Sequence, residues 1–185
     1  MKYTLHVSIT DRDYQDFNLF SMTKTPYGKK QTRSFRLMLV CLCVLLLALS
    51  LLTDDTLDAW SVFCSVTFHA LVCVIAQLLW IPILRSSAKG IVKRMAKSGK
   101  KPYSASAMLE FDEDFFIETT DDNRTEVKYA ALERVCDVRG RVLYLFVNST
   151  MAYLIPTEAF ASAEEREDFL SFMKAKCACV EYYDK

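Results

Sequence analysis

Two long uncharged stretches dominate the alternation of apolar and polar positions along the chain. From Leu37 to Leu52 no charged residue occurs, and with Phe35 and the flanking Arg36 the stretch reaches about 18 residues, roughly 27 Å as a helix. A second uncharged stretch from Ala59 to Leu84 runs about 26 residues, or roughly 39 Å, against a hydrocarbon core of about 30 Å. Core helices of a soluble protein usually keep charges on a solvent face, and neither stretch has any. The pattern predicts two transmembrane helices, 35–52 and 59–84. Only Thr53 to Asp58 connects them, so the spans are expected to return antiparallel as a hairpin. Asp55 or Asp58 is placed to face the positive end of the second helix, and Trp60 and Trp80 lie near its opposite ends as aromatic belt residues do. Pro82 is expected to kink or end that helix. The first apolar run begins about 35 residues in and no small-residue cleavage pattern precedes the second, so a cleaved signal peptide fits poorly.

On either side of the hairpin the period changes. Tyr3, Leu5, Val7 and Ile9 alternate with Thr4, His6, Ser8 and Thr10, the period of a half-buried strand. Thr10 or Asp11 can then cap a short helix through about Phe20, with Tyr14, Phe17 and Leu19 or Phe20 as its apolar side, and Pro26 and Gly28 are expected to end this part. After the hairpin, turn residues recur every eight or so positions. They delimit six strands: Ala107–Phe111, Phe115–Thr120, Thr125–Tyr129, Leu132–Val138, Val142–Val147 and Met151–Ile155. The strand Val142–Val147 is apolar on both faces, so both sides of its sheet require a cover. One cover is a predicted helix through about Lys176, opened by a Ser162/Glu165 capping box and carrying Phe169, Leu170, Phe172 and Met173. The fold class expected is an α+β membrane protein: a two-helix transmembrane hairpin with a small antiparallel β domain closed by a C-terminal helix. Its divisions are 1–34, the hairpin at 35–84, a basic juxtamembrane linker at 85–101 and the β-rich domain at 102–185.

A net charge of zero conceals three zones. Lys24, Lys29, Lys30, Arg33 and Arg36 precede the first span, and Arg85, Lys89, Lys93, Arg94, Lys97, Lys100 and Lys101 follow the second, with no acid among either group. The connecting loop holds Asp54, Asp55 and Asp58 and no base, so the positive-inside rule places both termini in the cytoplasm. From residue 102 onward there are nine bases against seventeen acids, which argues against nucleic acid as a partner. The basic collar points instead to membrane lipids with anionic headgroups. Lys29, Lys30, Arg33, Arg36, Arg85, Lys89, Lys93 and Arg94 are the expected contacts, each worth on the order of 1 kcal/mol near the bilayer surface. Seven cysteines fall either inside the spans or in parts assigned to a reducing compartment, so free thiols are expected.

Along the second span Ser61, Ser65, His69, Cys73 and Gln77 recur every fourth residue. Each step advances about 40° around the helix, so the row slants. Intramembrane His and Gln are candidates for proton relay, metal ligation or helix contact, and the packing face of a helix pair or a homo-oligomer is the simpler reading. His69 and Cys73 have the spacing of two metal ligands but lack a third at that depth. Cys177-Ala178-Cys179 reads as ordinary free thiols rather than a soft-metal or redox pair. The acidic turns Asp112-Glu113-Asp114 and Asp121-Asp122-Asn123 lack the glycine and distant glutamate of a calcium loop and read as solvated turns. No phosphate loop, nucleophile elbow or HExxH pattern is present, and neither catalytic centre nor cofactor is expected.

The order of segments resembles the YcxB-like family of bacterial membrane proteins. The resemblance rests on Tyr129 to Val135, Tyr144-Leu145-Phe146, and Leu154-Ile155-Pro156-Thr157-Glu158-Ala159-Phe160 ahead of Phe169-Leu170, where Thr157 stands at a position more often lysine in that family. It implies a cytoplasmic domain of bacterial pleckstrin-homology-like type and brings no established reaction or ligand. A pleckstrin-like fold has seven strands and a closing helix, so Tyr3 to Thr10 is expected to supply the seventh strand across the hairpin. The function expected is a non-enzymatic, membrane-anchored interaction module in the bacterial cell membrane that binds a protein partner or itself. The alternative is an oligomeric transport or pore component built on the polar row.

Overall fold

The computed structural model describes residues 2–53, 58–97 and 103–184, without the side chains of 95–97. Asp54, Asp55, Lys100 and Lys101 lie outside the described residues, as does the start of the β-rich domain at residue 102. The chain divides into two compact units, one formed by Met1–Phe17 with Val92–Lys185 and the other by Asn18–Ile91.

Helix α1 covers Asp11–Thr23, α2 Pro26–Leu52 and α3 Ala59–Lys97. At the start of α1 the Thr10 Oγ1 accepts from the Asp13 N–H at 3.3 Å, while Asp13 Oδ2 accepts from the Thr10 N–H at 2.9 Å, a reciprocal cap. Pro26 and Gly28 open α2 rather than ending the segment before it. Proline loses nothing in a first turn, where its missing N–H would have no partner, and Thr25 Oγ1 accepts from the Gly28 N–H at 3.1 Å. Gly28 lies so close to the end of α1 that a Cβ there would stand 2.0 Å from the Ser21 carbonyl oxygen. The basic stretch drawn as a linker is helical through Lys97, with Pro82 inside the helix. Its Ala, Lys, Arg and Met residues favour helix after the apolar run has ended.

Both long helices are long and apolar enough to cross a membrane, and none of their apolar windows is buried. Leu37 is 64% exposed and Leu78 72%, an arrangement that water opposes over so large an area.

Among the described residues the other unit holds eight strands in two four-stranded sheets. One sheet runs β1 (Tyr3–Ser8), β2 (Ser106–Phe111), β3 (Phe115–Thr119), β4 (Arg124–Lys128), antiparallel throughout. Tyr3 pairs with Phe111 and Ser8 with Ser106, so the strand before the hairpin does join the sheet that follows it. The second sheet has the order β7 (Ala152–Pro156), β6 (Val142–Phe146), β5 (Arg134–Val138), β8 (Val180–Tyr183). Strand β8 pairs parallel with β5 and makes seven strands after the hairpin, where six were expected. Its four residues carry no alternating pattern, and only the edge of β5 recruits them. The turn into β6 places Gly140 at φ +73°, a conformation open to glycine.

Helix α4 (Ala163–Lys176) closes the space between the sheets. Ser162 Oγ accepts from the Glu165 N–H at 3.1 Å, and the Glu165 carboxylate reaches back one residue further than expected, to the Ala161 N–H at 2.6 Å. Phe169 is fully buried, with its ring 4.8 Å from that of Phe111 and 5.3 Å from that of Tyr3. Leu143 and Leu145 of β6 face this core. Tyr144 and Phe146, on the opposite face of β6, are covered by Phe17 of α1 at 5.4 and 5.8 Å. The second cover that β6 required therefore comes from before the hairpin. Asp16 of α1 and Arg141 at the start of β6 form an ion pair of 2.5 Å beside it.

Phe17→Ala should destabilise this unit by about 3–5 kcal/mol, and Leu5→Ala by about 2–5 kcal/mol. Hydrogen exchange of the β2 and β6 amides in the solubilised full chain is the measurement, and unchanged protection in both variants would contradict the packing described. Gly28→Ala should lower the melting temperature of the hairpin, since backbone rather than a mobile side chain occupies the space.

Candidate sites in the hairpin and the β unit

In the hairpin the contacts run in antiparallel order. Phe35 stacks on Trp80 at 4.3 Å, Gln77 Nε2 donates to the Arg36 carbonyl at 3.3 Å, and Cys43 lies beside Cys73. Ser61, Ser65, His69, Cys73 and Gln77 are each half-buried, whereas Phe63, Phe68, Leu71 and Leu78 between them are exposed. On α2 Leu39, Cys43 and Leu47 repeat the same spacing and the same half-burial, so two rows of every fourth residue meet. The row is not a chain of hydrogen bonds. Ser61 Oγ donates to the Asp58 carbonyl at 3.1 Å, and His69 Nδ1 lies 2.9 Å from the Ser65 carbonyl. A carbonyl only accepts, so Nδ1 is the donor in this contact. At the head of α3 Asp58 accepts from the Ser61 N–H at 2.8 Å, and that bond holds its carboxyl below the usual range.

The eight cations assigned to lipid are all exposed. Three of them, Lys29, Arg33 and Arg36, share one groove with Thr23, Thr32 and Ile81. Lys30 and the α3 cations Arg85, Lys89, Lys93 and Arg94 lie outside it.

In the β unit the sequence reading missed a buried ion pair. Asp137 of β5 and Arg166 of α4 lie 2.5 Å apart, with side chains 3% and 8% exposed. An acid set among Val135, Cys136 and Val138 was its one sequence signal. The pair lines a cleft of about 710 Å³ with Arg139, Thr157, Lys174 and Tyr182. The Arg139 and Lys174 cations stand 5.7 and 5.2 Å from the centre of the Tyr182 ring.

A second cavity of about 370 Å³ is mostly apolar and is walled by Val7, Phe17, Leu109, Met151 and Tyr153 around the carboxyl of Glu118. Burial raises the Glu118 carboxyl above its ordinary value of 4.5. Residues from both sides of the hairpin build this cavity.

Cys177 and Cys179 are not a pair in space. Cys177 is buried in the core, which pushes its thiol up to about 11, whereas Cys179 Sγ lies 3.8 Å from the Glu181 carboxylate. Among the described residues no three His, Cys, Asp or Glu side chains are grouped to hold a metal. Asp112-Glu113-Asp114 and Asp121-Asp122-Asn123 form the turns between β2, β3 and β4.

Residues 111–173, from the end of β2 into α4 and about a third of the chain, match the model of the YcxB-like protein family. Searches of curated proteins and of solved structures returned no match.

Removing one member of the buried pair leaves a charge unpaired, so Arg166→Met should cost about 3–5 kcal/mol, and Asp137→Leu combined with it should recover most of the loss. Amide exchange at β5 measures both. For Glu118 the folded state holds its proton more tightly than the unfolded chain, so its contribution is fully present below pH 4.5 and is lost as pH rises through the raised value. Glu118→Gln should remove that part of the pH dependence and stabilise the unit at pH 7 relative to pH 4.5. Parallel curves for the two proteins would show that the carboxyl is not desolvated.

Proposed function

We propose that this chain is a multi-pass protein of the bacterial cell membrane, with both termini in the cytoplasm, whose pleckstrin-like β unit docks a protein partner without catalysing a reaction. The cavity around Glu118 carries the reading. Its walls come from β1 and α1 before the hairpin and from β2, β3 and β7 after it, so the unit forms only when both flanks lie on one side of the membrane. The cavity is concave and mostly apolar, its size falls within the range of ligand pockets, and Met151 in its wall is 63% exposed. An apolar side chain of a partner fits those walls, and the excess of acids in the surrounding unit favours a partner with basic flanks.

The slanted row on α3 serves in this reading as the packing face of the hairpin. Its half-burial against α2, and its hydrogen bonds to its own helix and to Arg36, support that role over a pore lining.

A photo-crosslinker at position 151 in the membrane-embedded chain should give one discrete product, and Ala107→Trp, which fills the cavity, should abolish it. Absence of a discrete product, together with wild-type behaviour after deletion of 103–185, would sink the proposal. His69→Leu should leave ion and proton conductance of proteoliposomes unchanged. A changed conductance would favour the transport reading.

A further inference from the structure

We infer that the groove at the basic end of the hairpin, formed by Thr23, Lys29, Thr32, Arg33, Arg36 and Ile81, is a specific site for the headgroup of an anionic, hydroxyl-bearing phospholipid. The inference rests on the reading that the hairpin spans a bilayer.

Its volume of about 310 Å³ lies at the lower end of small-ligand sites and suits a phosphoglycerol group. Among the described residues none of its three cations has an ion pair, and the first turn of α2 holds no acid. Lys29 and Arg33 therefore stand in the first two turns of a helix, near the positive end of its dipole, where cations are disfavoured unless an anion joins them. The hydroxyls add selectivity. Thr23 Oγ1 donates its proton to the Leu19 carbonyl at 2.7 Å, and Thr32 Oγ1 donates its own to the Met22 carbonyl at 3.1 Å. Both oxygens are left as acceptors, which repel a bare phosphate oxygen and suit the hydroxyls of a polyol headgroup.

The depth is that of a lipid. Arg36 immediately precedes the uncharged run that starts at Leu37, and a rise of about 1.5 Å per residue sets Arg33 about 4–5 Å and Lys29 about 10 Å further out. The headgroup layer of one leaflet is roughly 5–8 Å thick, so the three cations cross it. Ile81, from the second helix, supplies the apolar wall of the groove.

The test uses the full chain purified in a neutral detergent, with its thermal melting titrated by phosphatidylglycerol, phosphatidylcholine or inorganic phosphate. Phosphatidylglycerol should raise the melting temperature saturably, and K29Q/R33Q/R36Q should weaken that response by about tenfold or more. R85Q/K89Q/K93Q, with the same charge removed outside the groove, should respond as wild type does. Thr32→Val should narrow the preference for phosphatidylglycerol over phosphatidylcholine. Equal losses in the two triple variants, or no saturable response in wild type, would overturn the site in favour of diffuse attraction. A response to inorganic phosphate as large as that to phosphatidylglycerol would overturn the lipid assignment. Release of the chain from membranes by alkaline carbonate, without detergent, would instead remove the spanning reading beneath it.

Discussion

Strand β6 is apolar on both faces, and the β unit is organised around the need to cover each of them. Leu143 and Leu145 are met by the core that α4 closes, and Tyr144 and Phe146 are met by Phe17. Phe17 stands before the two long helices and β6 stands after them. A chain leaving this unit through α2 must therefore return to it through α3, which an antiparallel pair of helices does. Sheet pairing imposes the same condition a second time, since β1 is hydrogen-bonded to β2 along its whole length. Residues 3–17 thus supply a strand to one sheet and a cover to the other.

The Asp137–Arg166 pair has a different role. Two charges taken out of water gain little net stability, because desolvation offsets most of their attraction. What the pair supplies is position. It ties the first turn of α4 to the middle of β5, and with α4 so placed the chain after Lys176 is delivered to the free edge of β5, where β8 pairs. The same contact lines the larger cleft, so the charges around Tyr182 are held by a helix that cannot slide without separating its own buried pair.

In the hairpin the two faces of each helix meet different demands. The half-buried rows at every fourth residue bring α2 and α3 together, and the leucines, valines and phenylalanines between them remain exposed over the length of both helices. Within the hairpin Ser61 and His69 bond to their own helix and Gln77 donates to the Arg36 carbonyl of the other. At the basic end Lys29, Arg33 and Arg36 have no counter-charge among the described residues.

Much of this was legible in the residues. Periods of two and of every fourth residue located β1, six later strands, α4 and the two spans, because burial on one face leaves its spacing in the chain whatever the neighbour is. The Ser162/Glu165 cap was visible for the same reason, being a local contact. Contacts between distant segments were not. That Phe17 covers β6, that Asp137 finds Arg166, and that Val180–Tyr183 pairs with β5 depend on which surfaces the folded chain brings together. The two helix limits that were misjudged show a further gap. Pro26 and Gly28 read as a stop when taken alone, and only the close approach of α1 at Ser21 shows them as the start of α2. Likewise eight cations marked a basic end, but only the packing of α2 beside Ile81 selected three of them, because a groove belongs to two helices at once.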